Sequence, residues 1–164
     1  MRTSCLIVMW LPFRKYDRRE VFAMSDAAGL VVLVGRLVFA IQFLTGAFGH
    51  FKMSEQMVGY ARSMKVPAPS LGGWPAGVWL LVASLSVALG VWPDIGALMI
   101  ALWGIPTAFL IHGWWRYDAE AQQSQQLLFF RNLAFVGGAI ALFGVFVALG
   151  DELRFALTPA LLDF

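Results

Sequence analysis

Carboxylates are scarce where this chain is most apolar. Its ten acids, Asp17, Glu20, Asp26, Glu55, Asp94, Asp118, Glu120, Asp151, Glu152 and Asp163, all lie outside residues 28–50, 70–92, 95–115 and 127–150. A helix needs roughly 20 mainly apolar residues to cross hydrocarbon, and each acid-free stretch has about that length. Backbone in lipid must satisfy its own hydrogen bonds, so such runs read as helices. The fold class that follows is all-α, a polytopic membrane protein with a four-transmembrane-helix bundle.

Cysteine is nearly absent too. The single Cys5 excludes an intramolecular disulfide, CxxC redox chemistry and cysteine-ligated zinc or iron–sulfur clusters. Any electron transfer would therefore use a borrowed carrier. Histidine occurs twice, at His50 and His112. Two imidazoles can ligate a haem, but zinc or iron normally takes a third histidine or a carboxylate, and none is near. No metal is assigned, and haem is disfavoured. No hydroxyl has a neighbouring base, which argues against a hydrolase. A coupled transporter is disfavoured because no span carries an acid and none reads as broken. A net charge of +2, spread over loops, excludes nucleic acid as a partner and suits chain ends that meet lipid headgroups.

What is abundant is apolar and aromatic. The chain is 60% hydrophobic, which leaves no room for a separate soluble domain. Trp10, Trp74, Trp92, Trp114 and Trp115 fall near span ends, where amphipathic rings prefer to sit. Residues 1–23 differ from the rest: a short apolar run, Cys5 to Phe13, precedes Arg14, Lys15, Arg18 and Arg19. They read as an interfacial segment or as a leader upstream of a start at Met24. Residues 24–150 form the membrane domain and 151–164 a short amphipathic tail.

Span one, 28–50, holds Gly29, Gly35, Gly46 and Gly49 for close helix contacts. Met53, Met57, Tyr60, Ala61 and Met64 then recur at helical spacing among polar residues. That pattern describes an amphipathic surface helix, with Ser54 as its cap. Trp92-Pro93-Asp94 makes spans two and three a hairpin, and residues 116–126 form a polar loop. Four spans put both chain ends on one side, side A, and the 51–69 and 116–126 loops on side B. Basic residues favour side A as cytoplasmic when 1–23 are counted and side B when they are not, so orientation stays open.

A few polar residues can carry chemistry. Arg36 lies about 12 Å inside span one from side A, where a charge is costly and usually purposeful. No span acid can neutralise it, so its partners must be carbonyls, amides such as Gln42, water or a ligand. Spans one and three run the same way, so His50 and His112 emerge together at side B. Lys52, Trp114, Trp115, Arg131 and Asn132 fall at the same face. Single anchors of that kind are ordinary. As a group with two imidazoles, they could hold a quinone headgroup, an anion or a haem edge.

These segments resemble a known family. Arg36 through Gly46, followed by Gly49-His50-Phe51-Lys52, resembles the first span of DoxX-type membrane proteins. Tyr60 with Val66-Pro67-Ala68-Pro69, Ile111-His112-Gly113-Trp114-Trp115, and Phe130-Arg131-Asn132-Leu133 with Gly137-Gly138 resemble its later segments in order. The resemblance covers about residues 30–150. It implies a multi-pass cell (inner) membrane protein associated with oxidoreduction, since members include a subunit of a thiosulfate:quinone oxidoreductase. The expectation is an integral membrane component of an oxidoreductase system, with a quinone headgroup or small anion bound near side B. A soluble or membrane redox partner is implied, and a homo-oligomer is open. The alternative is a non-enzymatic anchor or assembly subunit. One departure stands out: the family often carries a glutamate in span two, where this chain has Leu80 or Leu81, so an ion pair with Arg36 is lost.

Overall fold

Four apolar helices form a bundle in which the first also meets the last through Phe43 and Phe135, and a short amphipathic helix lies at one end. The structure is a computed structural model that describes residues 24–162. The 1–23 segment, with Cys5 and Trp10, and Asp163 lie outside the described residues. Helix α1 is Asp26–Lys52, opened by Ser25, whose hydroxyl accepts from Ala28 N at 3.2 Å. Helix α2 (Ser54–Ser63) is the surface helix expected from the methionine spacing. Helix α3 (Trp74–Leu89) follows a 3-10 turn at Pro69–Gly72. Helix α4 is Pro93–Pro106 and helix α5 is Ala119–Leu149.

Helix α1 packs on α3, α3 on α4 and α4 on α5. Alanines fill the seams, with Ala47, Ala83, Ala97 and Ala139 fully buried, so backbones approach closely. Phe43, Leu80, Val87, Ile100 and Phe146 fill the core between them. Many further large apolar side chains, among them Val31, Val38, Phe48, Val82, Leu102 and Leu127, are exposed, and so wide an apolar outer surface suits lipid. Three stretches, Asp26–Lys52, Pro93–Arg116 and Ala119–Glu152, are long and apolar enough to cross a membrane, and α3 is a shorter apolar helix.

At 16 residues, α3 rises about 24 Å, short of the roughly 30 Å of hydrocarbon. It ends at Gly90, whose φ of 68° supplies the left-handed C-cap. The C-terminal tail fills the notch left at side A. Leu157 N donates to Gly90 O (3.0 Å), Thr158 N donates to Gly90 O (2.9 Å), and Trp92 N donates to the Thr158 hydroxyl (2.7 Å). Leu161 N and Leu162 N donate to the two carboxylate oxygens of the buried Asp94, at 3.0 and 2.9 Å. Arg154 pairs with Asp26 across the end of α1. The tail is thus a strap that closes one end of the bundle.

Several local expectations are corrected. The loop expected at 116–126 is mostly helix: α5 starts at Ala119 because Asp118 accepts from Ala121 N (3.0 Å) and the Ala, Glu and Gln residues that follow favour helix. Ser54 does not cap its own helix. Met53 holds that position, and the Ser54 hydroxyl accepts from Trp74 N (3.1 Å) at the start of α3. Span three is one membrane-length stretch, but its helix type changes part-way. Pro106 lacks the N–H needed for the α-helical ladder, the chain widens to a π-turn at Thr107–Ile111, and helix stops at His112. Gly35 and Gly49 have open space where a Cβ would lie and make no close helix contact.

Gly96 shows where close approach is obligatory. A Cβ there would sit 2.7 Å from Ala83 O and 2.4 Å from the Ser86 hydroxyl oxygen. Gly96→Ala is expected to push α3 from α4 and cost about 1–3 kcal/mol, read as a lower unfolding temperature in detergent. Gly35→Ala should leave that temperature unchanged.

Candidate functional site: a pocket at the histidine end

The amphipathic α2 and the 66–72 turn roof a cavity of about 630 Å³ between α1, α3, α4 and α5. Its walls are mostly apolar: Phe43, Leu80, Ile100, Trp103, Leu110 and Phe135. The polar groups are Gln42, His50, Tyr60, Thr107, His112, Arg131 and Asn132, and no carboxylate is among the lining residues. Four of the residues singled out in the sequence, His50, His112, Arg131 and Asn132, therefore meet in one cavity at one end of the bundle.

Local structure explains how each is aimed. His50, in the last turn of α1, has Nδ1 2.7 Å from Gly72 O, and its ring stands edge-on to Trp103 with centroids 5.7 Å apart. His112 sits where the π-turn ends, with Nδ1 2.8 Å from Gln125 Oε1. The π-turn is what carries Thr107, Leu110, Ile111 and His112 to the cavity, and π-turns recur at functional sites. The Asn132 amide donates to Leu128 O (2.8 Å), which leaves its oxygen unused by that bond. The ion pair among the described residues is Arg154 with Asp26, so Arg131 has no carboxylate partner there.

The roof is pinned by two phenols. Tyr117 O–H donates to Ile111 O at 2.6 Å, so the 2.8 Å contact between phenol oxygens has Tyr60 as donor. Burial pushes the Tyr117 hydroxyl above its ordinary pKa and keeps it a donor. Helix α2 is thereby tied to the end of span three.

The other expected site residues lie elsewhere. Lys52 is exposed at the α1 terminus and does not line the cavity. Trp114 packs on Trp115, and the exposed Trp115 ring lies against Phe109 and the buried Phe129, with Trp115 and Phe129 centroids 5.5 Å apart. Neither indole lines the cavity. Arg36 is fully buried but at the opposite end, donating to Ala88 O (3.2 Å) and Phe155 O (2.8 Å). It joins the last turn of α3 to the strap. The cavity residues that sequence reasoning missed as a site are Tyr60, Trp103 and Thr107, with Gln42 noted only as a partner for Arg36. Pro106 beside Thr107 is the available signal for the change to a π-turn.

The profile of the DoxX family matches residues 31–113, half of the chain. The chain belongs to the DoxX family. A relative, inner membrane protein YphA of Escherichia coli (strain K12), is 22% identical over 121 residues, covering 74% of this chain and 86% of that protein. No solved structure matches the chain. With three membrane-length apolar helices and an inner-membrane relative, this DoxX protein is a multi-pass inner membrane protein.

Of Leu80 and Leu81, the two positions where the family resemblance would place a glutamate, only the first is among the cavity-lining residues. Leu80 lines the cavity, and its Cδ1 lies 3.7 Å from where a Cβ on Gly46 would be. Gly46 is ten residues, about 15 Å, along α1 from Arg36. An acid at position 80 would face the cavity and not Arg36. The leucine thus leaves this cavity without a counter-charge for Arg131.

Proposed function

We propose that this DoxX protein is an integral membrane component of an oxidoreductase system that holds a quinone-class headgroup in the histidine-end cavity. One observation carries the reading: a largely apolar cavity is lined by two imidazoles, Arg131 and Asn132 with no carboxylate among them. Such a lining suits a planar, oxygen-bearing ring with an apolar body. A volume of about 630 Å³ lies within the usual range of roughly 300–1,000 Å³ for organic ligands. A small inorganic anion would find Arg131 but would leave most of the apolar wall uncovered. The chemistry of the electron donor would come from a partner, since the chain has one thiol and no self-sufficient catalytic group.

The test is purification in mild detergent, extraction and mass analysis of any bound quinone, then titration with decyl-ubiquinone. Arg131→Leu removes the charged donor and is expected to weaken binding about tenfold, the worth of one charge-assisted hydrogen bond of about 1.5 kcal/mol. The absence of quinone binding, with a soluble partner retained through the polar first turns of α5, would replace this reading with that of an anchoring subunit.

A further inference from the structure

The hydrogen bonds behind the two imidazoles set what each can offer to an occupant. A carbonyl oxygen only accepts, so His50 Nδ1, 2.7 Å from Gly72 O, carries the hydrogen and donates it. His112 Nδ1 does the same toward Gln125 Oε1 at 2.8 Å. In a neutral ring the other nitrogen, Nε2, is then a bare lone pair, able to accept and unable to donate. Neither Nε2 has a hydrogen-bond partner among the described residues. Neither is sealed off, because the buried, unpartnered side-chain nitrogens all belong to Arg36. Two open acceptors therefore belong to residues that line the same cavity.

That arrangement distinguishes oxidation states. A quinone carries carbonyl oxygens that only accept, and against a bare imidazole nitrogen two lone pairs face each other. A hydroquinone carries hydroxyls that donate. Leaving buried acceptors unpaired, or setting like poles together, is what makes polar sites discriminate strongly between near-identical ligands.

We propose that the cavity selects the reduced, dihydroxy form of a quinone-class molecule, its hydroxyls donating to His50 Nε2 and His112 Nε2. This inference rests on the quinone-class reading above and adds the direction of preference. Gln125 does not line the cavity. It acts as a positioning residue that holds the His112 ring in the tautomer with Nε2 bare.

The experiment uses the full chain in detergent at about pH 8, where an ordinary histidine is neutral. Calorimetric titrations with decyl-ubiquinol, kept anaerobic, and with decyl-ubiquinone give the two affinities. The expected result is quinol binding at least tenfold tighter. Gln125→Leu frees the His112 tautomer and should bring the ratio below about threefold by improving quinone binding as quinol binding weakens. Gln125→Glu, which still accepts from Nδ1–H, should preserve the ratio. A purely structural role for Gln125 would lower both affinities together and overturn the tautomer argument. Equal affinities, or tighter quinone, in the unaltered protein would overturn the inference and leave the quinone-class reading standing. Binding of neither form would overturn both.

Discussion

Asp94→Ala is expected to release the C-terminal strap and cost about 2–4 kcal/mol of stability. Asp94 is fully buried at the second position of α4, where the helix N-terminus favours an anion. Both its oxygens are spent on backbone N–H groups of the tail, at 3.0 and 2.9 Å. Alanine would leave those two donors unpaired and remove the charge that faces the helix dipole. Asp94→Asn keeps one accepting oxygen and should cost about half as much. Two measurements check this: the unfolding temperature in detergent, and the rate of tryptic cleavage after Arg154, whose side chain is half exposed at the start of the strap. Faster cleavage in Asp94→Ala than in Asp94→Asn, and in both than in the unaltered protein, is the expected order. Equal rates would mean that the strap is held by its contacts with Asp26, Arg36, Gly90 and Trp92 and not by Asp94.

The strap is also the part of the fold least legible in the sequence. Acid-free runs locate spans because burial in lipid is a local property of each residue, and residues 28–50 differ from the observed Asp26–Lys52 by two positions at each end. The strap depends on backbone groups meeting side chains 119 residues away at Arg36 and 67 away at Asp94. Backbone amides look alike in every sequence, so no pattern announces such a match. Arg36 shows the limit clearly. Its depth was readable, and so was its need for carbonyl or amide partners, but not that one partner would be the tail. Two of its nitrogens, Nε and Nη1, have no partner among the described residues. A leucine there would remove those two buried donors and would also unpair Ala88 O and Phe155 O, so gain and loss oppose each other.

The cavity was more legible because parity fixes depth. Two parallel spans ending in histidine, and a fourth span with Arg131-Asn132 about one turn inside its apolar start, bring those side chains toward one face. Depth is not direction, however. Lys52 lies two residues past His50, about 200° around the helix, and so points away from the cavity. Trp114 and Trp115 follow the break at His112-Gly113, after which helical phase no longer predicts where a side chain goes. The π-turn that aims His112 arises from Pro106, and the first turns of α5 that supply Gln125 arise from the Asp118 cap. Apolar runs do not reveal a change of helix type, and the polar residues 116–126 read as a loop, so the hydrogen bond behind His112 is not legible in the sequence.

Gly46→Phe is expected to abolish quinone-class binding, by about 100-fold or more, while leaving the fold intact. Gly46 lies on α1 where the cavity has no side chain of its own to fill it. A Cβ there would have Leu80 Cδ1 at 3.7 Å, an ordinary contact, so a larger group can grow into the void without moving backbone. Filling an apolar void commonly leaves stability unchanged or raises it slightly, so the unfolding temperature separates occlusion from misfolding. A ring-bearing ligand needs the apolar wall that the phenyl group would cover, and a loss of about 100-fold corresponds to about 2.7 kcal/mol. A small anion held mainly by Arg131 needs only the polar corner and would still bind. Gly46→Ala, which adds one methyl group, should change either affinity less than about threefold, or about 0.7 kcal/mol. Titrating decyl-ubiquinone and thiosulfate in parallel against Gly46→Phe thus reads out the occupant directly. Loss of the first with an intact fold supports the quinone-class reading. Unchanged decyl-ubiquinone binding would show that the ring sits elsewhere and that the cavity is not its site.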